Sequence, residues 1–198
     1  GDEIFVLGKF KPMEDLERAE REIEFEKVVK EFMVGRKGEW VFIKFNNGKE
    51  YKVKPFKIDE NFVKLLAFVN AEGHLTPKKL MISQKNERWM LNEVLTYLKS
   101  LGYSYRCYSS KDYVINPVII AKYFSRILNG SSKNLGGWVL YLPRRLKRLY
   151  LRWFFSLDGH VNLKARGIEV TQESPNLLNY LLLLLYEFGI FPNIGKKR

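Results

Sequence analysis

One cysteine, Cys107, occurs in 198 residues. That excludes an internal disulfide framework and a cysteine-rich zinc site, and it fits a reducing, cytoplasmic setting. No stretch reaches the ~20 unbroken apolar residues of a membrane helix. The longest apolar run, around Leu177 to Leu185, is short and interrupted by Asn179, so no membrane association is expected. The N-terminus lacks the basic-then-apolar order of a secretion signal. Acidic residues are scarce over most of the chain: residues 61–198 hold 8 Asp/Glu against 21 Lys/Arg, whereas residues 1–60 hold 14 against 13. The net charge of +12 therefore sits in the last two-thirds, where basic side chains that displace phosphate counterions point to a polyanionic partner. A soluble, Lys- and Glu-rich protein of a heat-adapted organism is the blander alternative. What the chain has in quantity is apolar residues, 46%, with 15% aromatics, enough for a sizeable core and against disorder. The length suits one compact domain, or one domain with an appendage.

Residues 1–59 read as an accessory subdomain of helix plus hairpin. Leu16, Ala19, Ile23, Val28 or Val29, and Phe32 predict one amphipathic helix over Met13 to Met33, with Gly35 as its stop. Glu39 to Phe45 and Glu50 to Lys54 flank Asn46-Asn47-Gly48, a hairpin signal, and Pro55 ends the second strand.

From residue 61 the sequence says one thing twice. A helix to Glu72 closes on Gly73, strands at His74–Thr76 and Lys79–Lys85 follow, and a helix from Glu87 to Ser100 closes on Gly102. Strands near Tyr103–Tyr108 and Tyr113–Asn116 and a helix near Pro117–Leu128 complete this unit. After the loop Asn129-Gly-Ser-Ser-Lys133 the order recurs: a helix from Pro143 to Asp158 closing on Gly159, strands at His160–Lys164 and Ile168–Gln172, and a helix from Ser174 to Phe188 closed by Gly189. Ile82-Ser-Gln-Lys-Asn86 aligns with Val170-Thr-Gln-Glu-Ser174, at an offset of 88 against 86 for the acids. Such duplication outweighs any single motif. The expected divisions are 60–129 for the first half and 130–198 for the second. Nine residues follow Gly189 where the first unit has about 27 after Gly102, so the second half reads as lacking its last elements.

Each repeat has an acid before a helix-ending glycine, Ala71-Glu72-Gly73 and Leu157-Asp158-Gly159. A carboxylate there meets the negative end of the helix dipole, a penalty that a divalent cation reverses. Two such helices side by side bring both acids to one point, where they can hold Mg²⁺ (or Mn²⁺) for phosphodiester chemistry. An acid before a capping glycine is otherwise simply solvated; the repetition favours a site.

Leu65-Leu-Ala-Phe-Val-Asn-Ala-Glu-Gly73 and Leu151-Arg-Trp-Phe-Phe-Ser-Leu-Asp-Gly159 both resemble the LAGLIDADG motif of homing endonucleases. The likeness is to archaeal two-motif enzymes, intein-embedded or free-standing; Leu142 to Val161 is similar to the second endonuclease half of inteins, and the resemblance covers residues 60–194. It implies an α+β fold, a pseudo-twofold duplicated αββαββα saddle whose motif helices form the central interface, acting as a monomer. It further implies a site-specific double-stranded DNA endonuclease, with sheets across the major groove. In that resemblance Glu72 and Asp158 bind the catalytic metals, with Ala71 and Leu157 counted as metal-ligating positions, and Gln84 and Gln172 match a polar residue that orients water. A basic residue usually assists; Lys85, Lys111 and Lys133 are the candidates. DNA contacts are expected from these three and from Lys78, Lys79, Arg144, Arg145, Arg148, Lys164 and Arg166.

The second motif departs from the pattern. Trp153 and Leu157 stand where small residues let the helices approach, as Ala67 and Ala71 do in the first motif, and that predicts a wider crossing. The alternative function is accordingly a catalytically degenerate protein that only binds DNA or RNA. No splicing apparatus is visible: the chain begins Gly-Asp and lacks a terminal His-Asn pair. His74 and His160 occupy equivalent places after each glycine, more in keeping with solvent or phosphate contact than with metal ligation. Tyr103, Tyr105, Tyr108 and Tyr113 alternate as sheet-packing residues, with base or sugar contacts as the second reading.

Overall fold

The computed structural model describes residues 12–164 and 166–195. The chain is α+β and turns its duplicated order into two helix–hairpin–helix units, with a separate small sheet ahead of them.

The single helix expected over Met13 to Met33 is broken. Helix α1 spans Leu16–Glu22, capped by Asp15, whose carboxylate accepts the Arg18 N–H at 2.9 Å. Helix α2 spans Phe25–Val29, a 3-10 turn covers Lys30–Phe32, and the chain then enters strand β1, Met33–Lys37. The cause lies in the pattern. Ile23 and Phe25 are both buried, yet residues two apart point to nearly opposite sides of a helix. A break between them lets both face the core. Gly35 is no stop either: it sits inside β1 beside an irregularity in the pairing. With β2 (Trp40–Lys44) and β3 (Glu50–Val53), β1 makes a three-stranded antiparallel sheet where a two-stranded hairpin was expected.

Helix α3, Glu60–Glu72, is capped by Asp59 and buries residues on every side, as a central helix must. Strands β4 (Gly73–Thr76) and β5 (Lys79–Ser83), helix α4 (Arg88–Ser100), strands β6 (Ser104–Cys107) and β7 (Asp112–Asn116) and helix α5 (Ile119–Ile127) follow. The sheet order is β4-β5-β7-β6, all antiparallel. Its rows read directly off the register: Leu75, Leu80, Ile115 and Tyr105 face the helices, while His74, Met81, Val114 and Arg106 face away.

The second unit runs α6 (Arg144–Asp158), β8 (His160–Asn162), β9 (Gly167–Glu169) and α7 (Pro175–Glu187). The strands are shorter than expected: Lys164 and Gln172 lie outside them. Helices α3 and α6 pack against each other along their lengths, and the Tyr150 hydroxyl donates to Asn70 Oδ1 at 3.0 Å between them. The bulk of Trp153 is taken up sideways. Its indole meets Trp89 of α4 edge-on at 5.8 Å, with the Lys64 ammonium 5.5 Å from its ring.

The N-terminal segment touches both units. Lys54 N–H donates to Leu101 O at 2.8 Å beside α4, and Asp15 N–H to Tyr141 O at 2.9 Å. Next to α6, Arg144 N–H donates to Glu14 Oε1 at 3.0 Å, and Lys147 Nζ donates to Met13 O at 3.3 Å.

Candidate metal and nucleic-acid site

Both acids sit in the last residue of their helix, and the glycine after each one decides how the chain leaves. Gly73 and Gly159 turn straight into extended backbone, and a β-carbon on either would collide with the carbonyl oxygen four residues back, Val69 or Phe155. Only glycine lets a strand begin that close to the helix end, so the acid is presented at the corner between α3 and β4, or between α6 and β8.

A glutamine meets each acid from the end of the following hairpin. Gln84 Nε2 donates to Glu72 Oε1 at 3.1 Å, and Gln172 Nε2 donates to Asp158 Oδ2. The first of these amides is oriented from its other side, since Gln84 Oε1 accepts the Asn86 N–H at 2.9 Å. Burial pushes both carboxyls above their ordinary range. The negative charge of Asp158 raises Glu72 further, while Lys133 and the glutamines oppose the shift. Each acid is thus half-buried and held by one amide, with Glu72 within electrostatic reach of Asp158.

Lys133, one of three candidate basic residues, comes to this corner. Its ammonium donates to Asn70 O at 2.8 Å and to Ala71 O, and it lies within electrostatic reach of both acids. Burial lowers its pKa, and the acids partly restore it. Lys85 and Lys111 are exposed at the Gln84 end of the sheet, where Gln84 N–H donates to Lys111 O at 3.0 Å.

Lys78 lies in the β4–β5 turn and Lys79 opens β5, while Lys164 and Arg166 lie in the β8–β9 turn. Arg144, Arg145 and Arg148 occupy the first turns of α6, the opposite end of that helix from Asp158. Arg145 is paired there with Glu60 at 2.7 Å, and the Arg144 guanidinium lies 4.9 Å from the Phe188 ring. These three are not brought to the acids. His74, second in β4, and His160, first in β8, are exposed, and among the described residues no group of three His, Cys, Asp or Glu gathers as a ligand set. Of the tyrosines, Tyr103 and Tyr113 are buried, Tyr105 is half-buried against Tyr113, and Tyr108 is exposed under the Lys79 ammonium.

Sequence reasoning missed Arg106 on the outward row of the sheet, and Asn70 with Tyr150 at the helix interface. Asn70 left a signal, an amide between Val69 and Ala71 in the apolar stretch of its helix.

Residues 145–198 match the family described as LAGLIDADG-like domain. Among curated proteins, the chain is 28% identical over 153 residues to DNA-directed RNA polymerase subunit Rpo1C of Methanocaldococcus jannaschii, covering 73% of this chain and 18% of that protein. It is 29% identical over 135 residues to transcription initiation factor IIB of the same organism, covering 66% and 19%. Over 52 residues it is 48% identical to a probable translation initiation factor IF-2 of Thermococcus kodakarensis, covering 26% and 4%. The chain thus spans about a fifth or less of the length of the curated relatives it matches.

Proposed function

We propose, from the match of residues 145–198 to the LAGLIDADG-like domain, that the chain is a site-specific, divalent-metal-dependent endonuclease of double-stranded DNA. The observations that carry the reading are the packing of the two motif helices along their lengths, the glutamine that each helix-ending acid receives, one pair from each repeat, and the placement of Lys133 within electrostatic reach of both acids.

The donor set fits a hard cation such as Mg²⁺ or Mn²⁺. Two carboxylates and the Leu157 carbonyl are all oxygen, and two acids leave coordination positions for water and phosphate, as Mg²⁺ prefers, whereas the Ala71 carbonyl already accepts from the Lys133 ammonium. When bound, the cation would supply activation of water and neutralisation of charge on the phosphate. The chain's own residues do the rest. Glu72 and Asp158 hold the cation. Gln84 and Gln172 fix the carboxylates and present amide groups that orient water. Lys133 sets a positive charge beside the acids, where negative charge grows on the phosphoryl oxygens. The outward row of the four-stranded sheet, with Arg106 and with Lys78 and Lys79 at the β4–β5 corner, offers a surface for the phosphate backbone, joined by Lys85, Lys111, Lys164 and Arg166. In this reading residues 60–129 and 130–198 are the two halves of one monomer in a cytoplasmic setting, and 1–59 is an accessory subdomain.

The relatives are an RNA polymerase subunit, a transcription initiation factor and a translation initiation factor, three unlike machines that each share only a segment with this chain. A segment common to unlike hosts is the pattern left by a mobile inserted element, which supports an intein origin.

The second reading is a degenerate binder of DNA or RNA, favoured by Trp153 and Leu157 in the second motif. Incubation with a pool of double-stranded DNA and Mg²⁺, with broken ends sequenced, separates the two. Breaks recurring at one sequence, and absent with chelator or with Asp158→Asn, are expected. Salt-sensitive binding without metal-dependent breaks would instead establish the binder.

A further inference from the structure

Lys133 lies on a loop, Asn129 to Gly136, between α5 and the second unit. Loop lysines ordinarily sample many rotamers, and this one is held back against the end of α3. The side chain that pins the loop there is Asn70, which is fully buried. Its Nδ2 donates to Ser132 O at 2.6 Å and to Asn134 O at 2.9 Å, the carbonyls on either side of Lys133. Its Oδ1 accepts the Tyr150 hydroxyl at 3.0 Å from the other motif helix. One amide therefore joins α3, α6 and the lysine's own main chain.

We propose that Asn70 is a positioning residue that, keyed by Tyr150, sets the Lys133 ammonium where the two motif helices end. The catalytic consequence rests on the nuclease reading above; the positioning itself does not.

Chemistry selects the residue. Aspartate could accept from Tyr150 but donate to neither carbonyl, and leucine would strand both. The motif does not by itself demand an amide at this place, because the equivalent residue of the second repeat, Ser156, is exposed and donates to Arg152 O at 2.8 Å. Neighbouring bonds close the loop on both units. Ser132 Oγ donates to Gly73 O at 2.8 Å, Leu135 N–H to Asn176 Oδ1 at 2.7 Å, and Ser174 Oγ to Asn134 Oδ1 at 3.0 Å. With Ser132 and Asn134 fixed, the short reach from the Lys133 backbone leads onto the Asn70 and Ala71 carbonyls.

The test uses the whole chain and limiting acetic anhydride, with acetylation of each lysine quantified by mass spectrometry. In the wild type Lys133 is expected to react about 10-fold more slowly than exposed Lys85 and Lys111, as a held and half-buried amine should. Asn70→Ser should speed Lys133 by about 5-fold while leaving Lys85 and Lys111 unchanged, and Tyr150→Phe by about 2-fold. Should Asn70→Ser not fold, Tyr150→Phe, which keeps the ring, carries the test. A Lys133 rate unmoved in the folded variants overturns the proposal. Cleavage supplies the second readout. Asn70→Ser should lower kcat by about 10- to 100-fold at nearly constant KM, the scale of a small misplacement of a reacting group. The double variant Asn70→Ser/Lys133→Met should then cleave no more slowly than Lys133→Met, whereas additive losses would mark Asn70 as merely structural and sink the idea. A wild type that cuts no DNA defeats the nuclease reading alone, and the labelling still decides the role of Asn70.

Discussion

The two repeats share a site and differ in nearly everything that supports it. Both end a helix with acid and glycine, and both return a glutamine to the acid from the following hairpin. Around that shared corner the first repeat has a four-stranded sheet, and the second has two strands among the described residues. Leu80 in β5 is fully buried, while its counterpart Ile168 in β9 is 63% exposed. A β-carbon on Gly102, which closes α4, would collide with the Lys52 carbonyl and crowd the Trp40 ring, yet one on Gly189 in the same place after α7 would meet nothing within 4 Å among the described residues. The second repeat has a device the first lacks. Lys147 and Glu187 form a fully buried ion pair between α6 and α7 at 2.8 Å, where the first repeat has exposed Asn61 and Ser100. What duplication kept is the geometry of the chemistry; the packing beneath it was solved twice.

The sharpest way to break the comparison is to ask whether the acids are equivalent. Glu72→Gln and Asp158→Asn should each lower metal-dependent cleavage by about 1,000-fold or more, the scale of losing a principal charge-bearing group. Counting nicked and linear plasmid products shows whether one acid serves each strand. A variant that still cuts both strands at the wild-type rate would end the equivalence.

Next in size is the buried ion pair. Lys147→Met leaves Glu187 charged and unpartnered in the core and should cost about 3–5 kcal/mol in urea unfolding, whereas Lys147→Met/Glu187→Leu should return close to wild type. In the first repeat, Asn61→Met at the equivalent exposed position should stay within about 0.5 kcal/mol. A smaller contrast concerns the sheets: Leu80→Ala should cost about 2–5 kcal/mol through lost burial and a cavity, and Ile168→Ala about 0.5 kcal/mol or less. Equal costs at Leu80 and Ile168 would mean that the second hairpin is covered in solution.

The repeated elements were legible in the sequence, because α3, α4, α6 and α7 each combine helical periodicity with a closing glycine, although both hairpins end before the aligned Gln84 and Gln172. The acids and glutamines were legible through the same repetition. The broken helix between Ile23 and Phe25 was hidden because a charged, alternating pattern resembles one amphipathic helix until the partner, Tyr123 of α5, is known to lie 5.3 Å from Phe25. Strand β1 was hidden by Gly35 and by its mostly exposed residues. Asn70 and Tyr150 could be seen as polar groups in apolar helices, but their shared bond depends on how α3 and α6 face each other, a long-range relation that no local pattern encodes. The arginines of α6 show the reverse case: charge alone marked Arg144 and Arg145, and tertiary contacts set them against Phe188 and Glu60.

The smallest effect expected here concerns stability without metal. The Glu72 and Asp158 carboxyls are raised above their ordinary values of 4.5 and 3.8, burial being the larger cause in each. A carboxyl raised in the native state holds its proton more tightly folded than unfolded. Its favourable contribution is therefore complete below the unfolded value and is lost as pH rises through the native one. At pH 7 both acids then stand as a net cost to the metal-free fold, so Glu72→Gln should raise its Tm by about 1–3 °C, and Asp158→Asn by a similar amount. The gain should vanish below about pH 3.5, where the unfolded carboxyls are protonated too. Mg²⁺ should stabilise the wild type and not the variants, because only the wild type presents both charges to it. Glu72 feels Asp158 in addition to its own burial, so the double variant should gain less than the two single gains together, each removal having already relieved the other acid. Melting curves at pH 7 and pH 3.5, with and without Mg²⁺, read all of this. A Tm lowered at pH 7 by either neutral variant would mean that Lys133 and the glutamines outweigh the burial of that acid, and that the two corners are built for stability rather than for a cation.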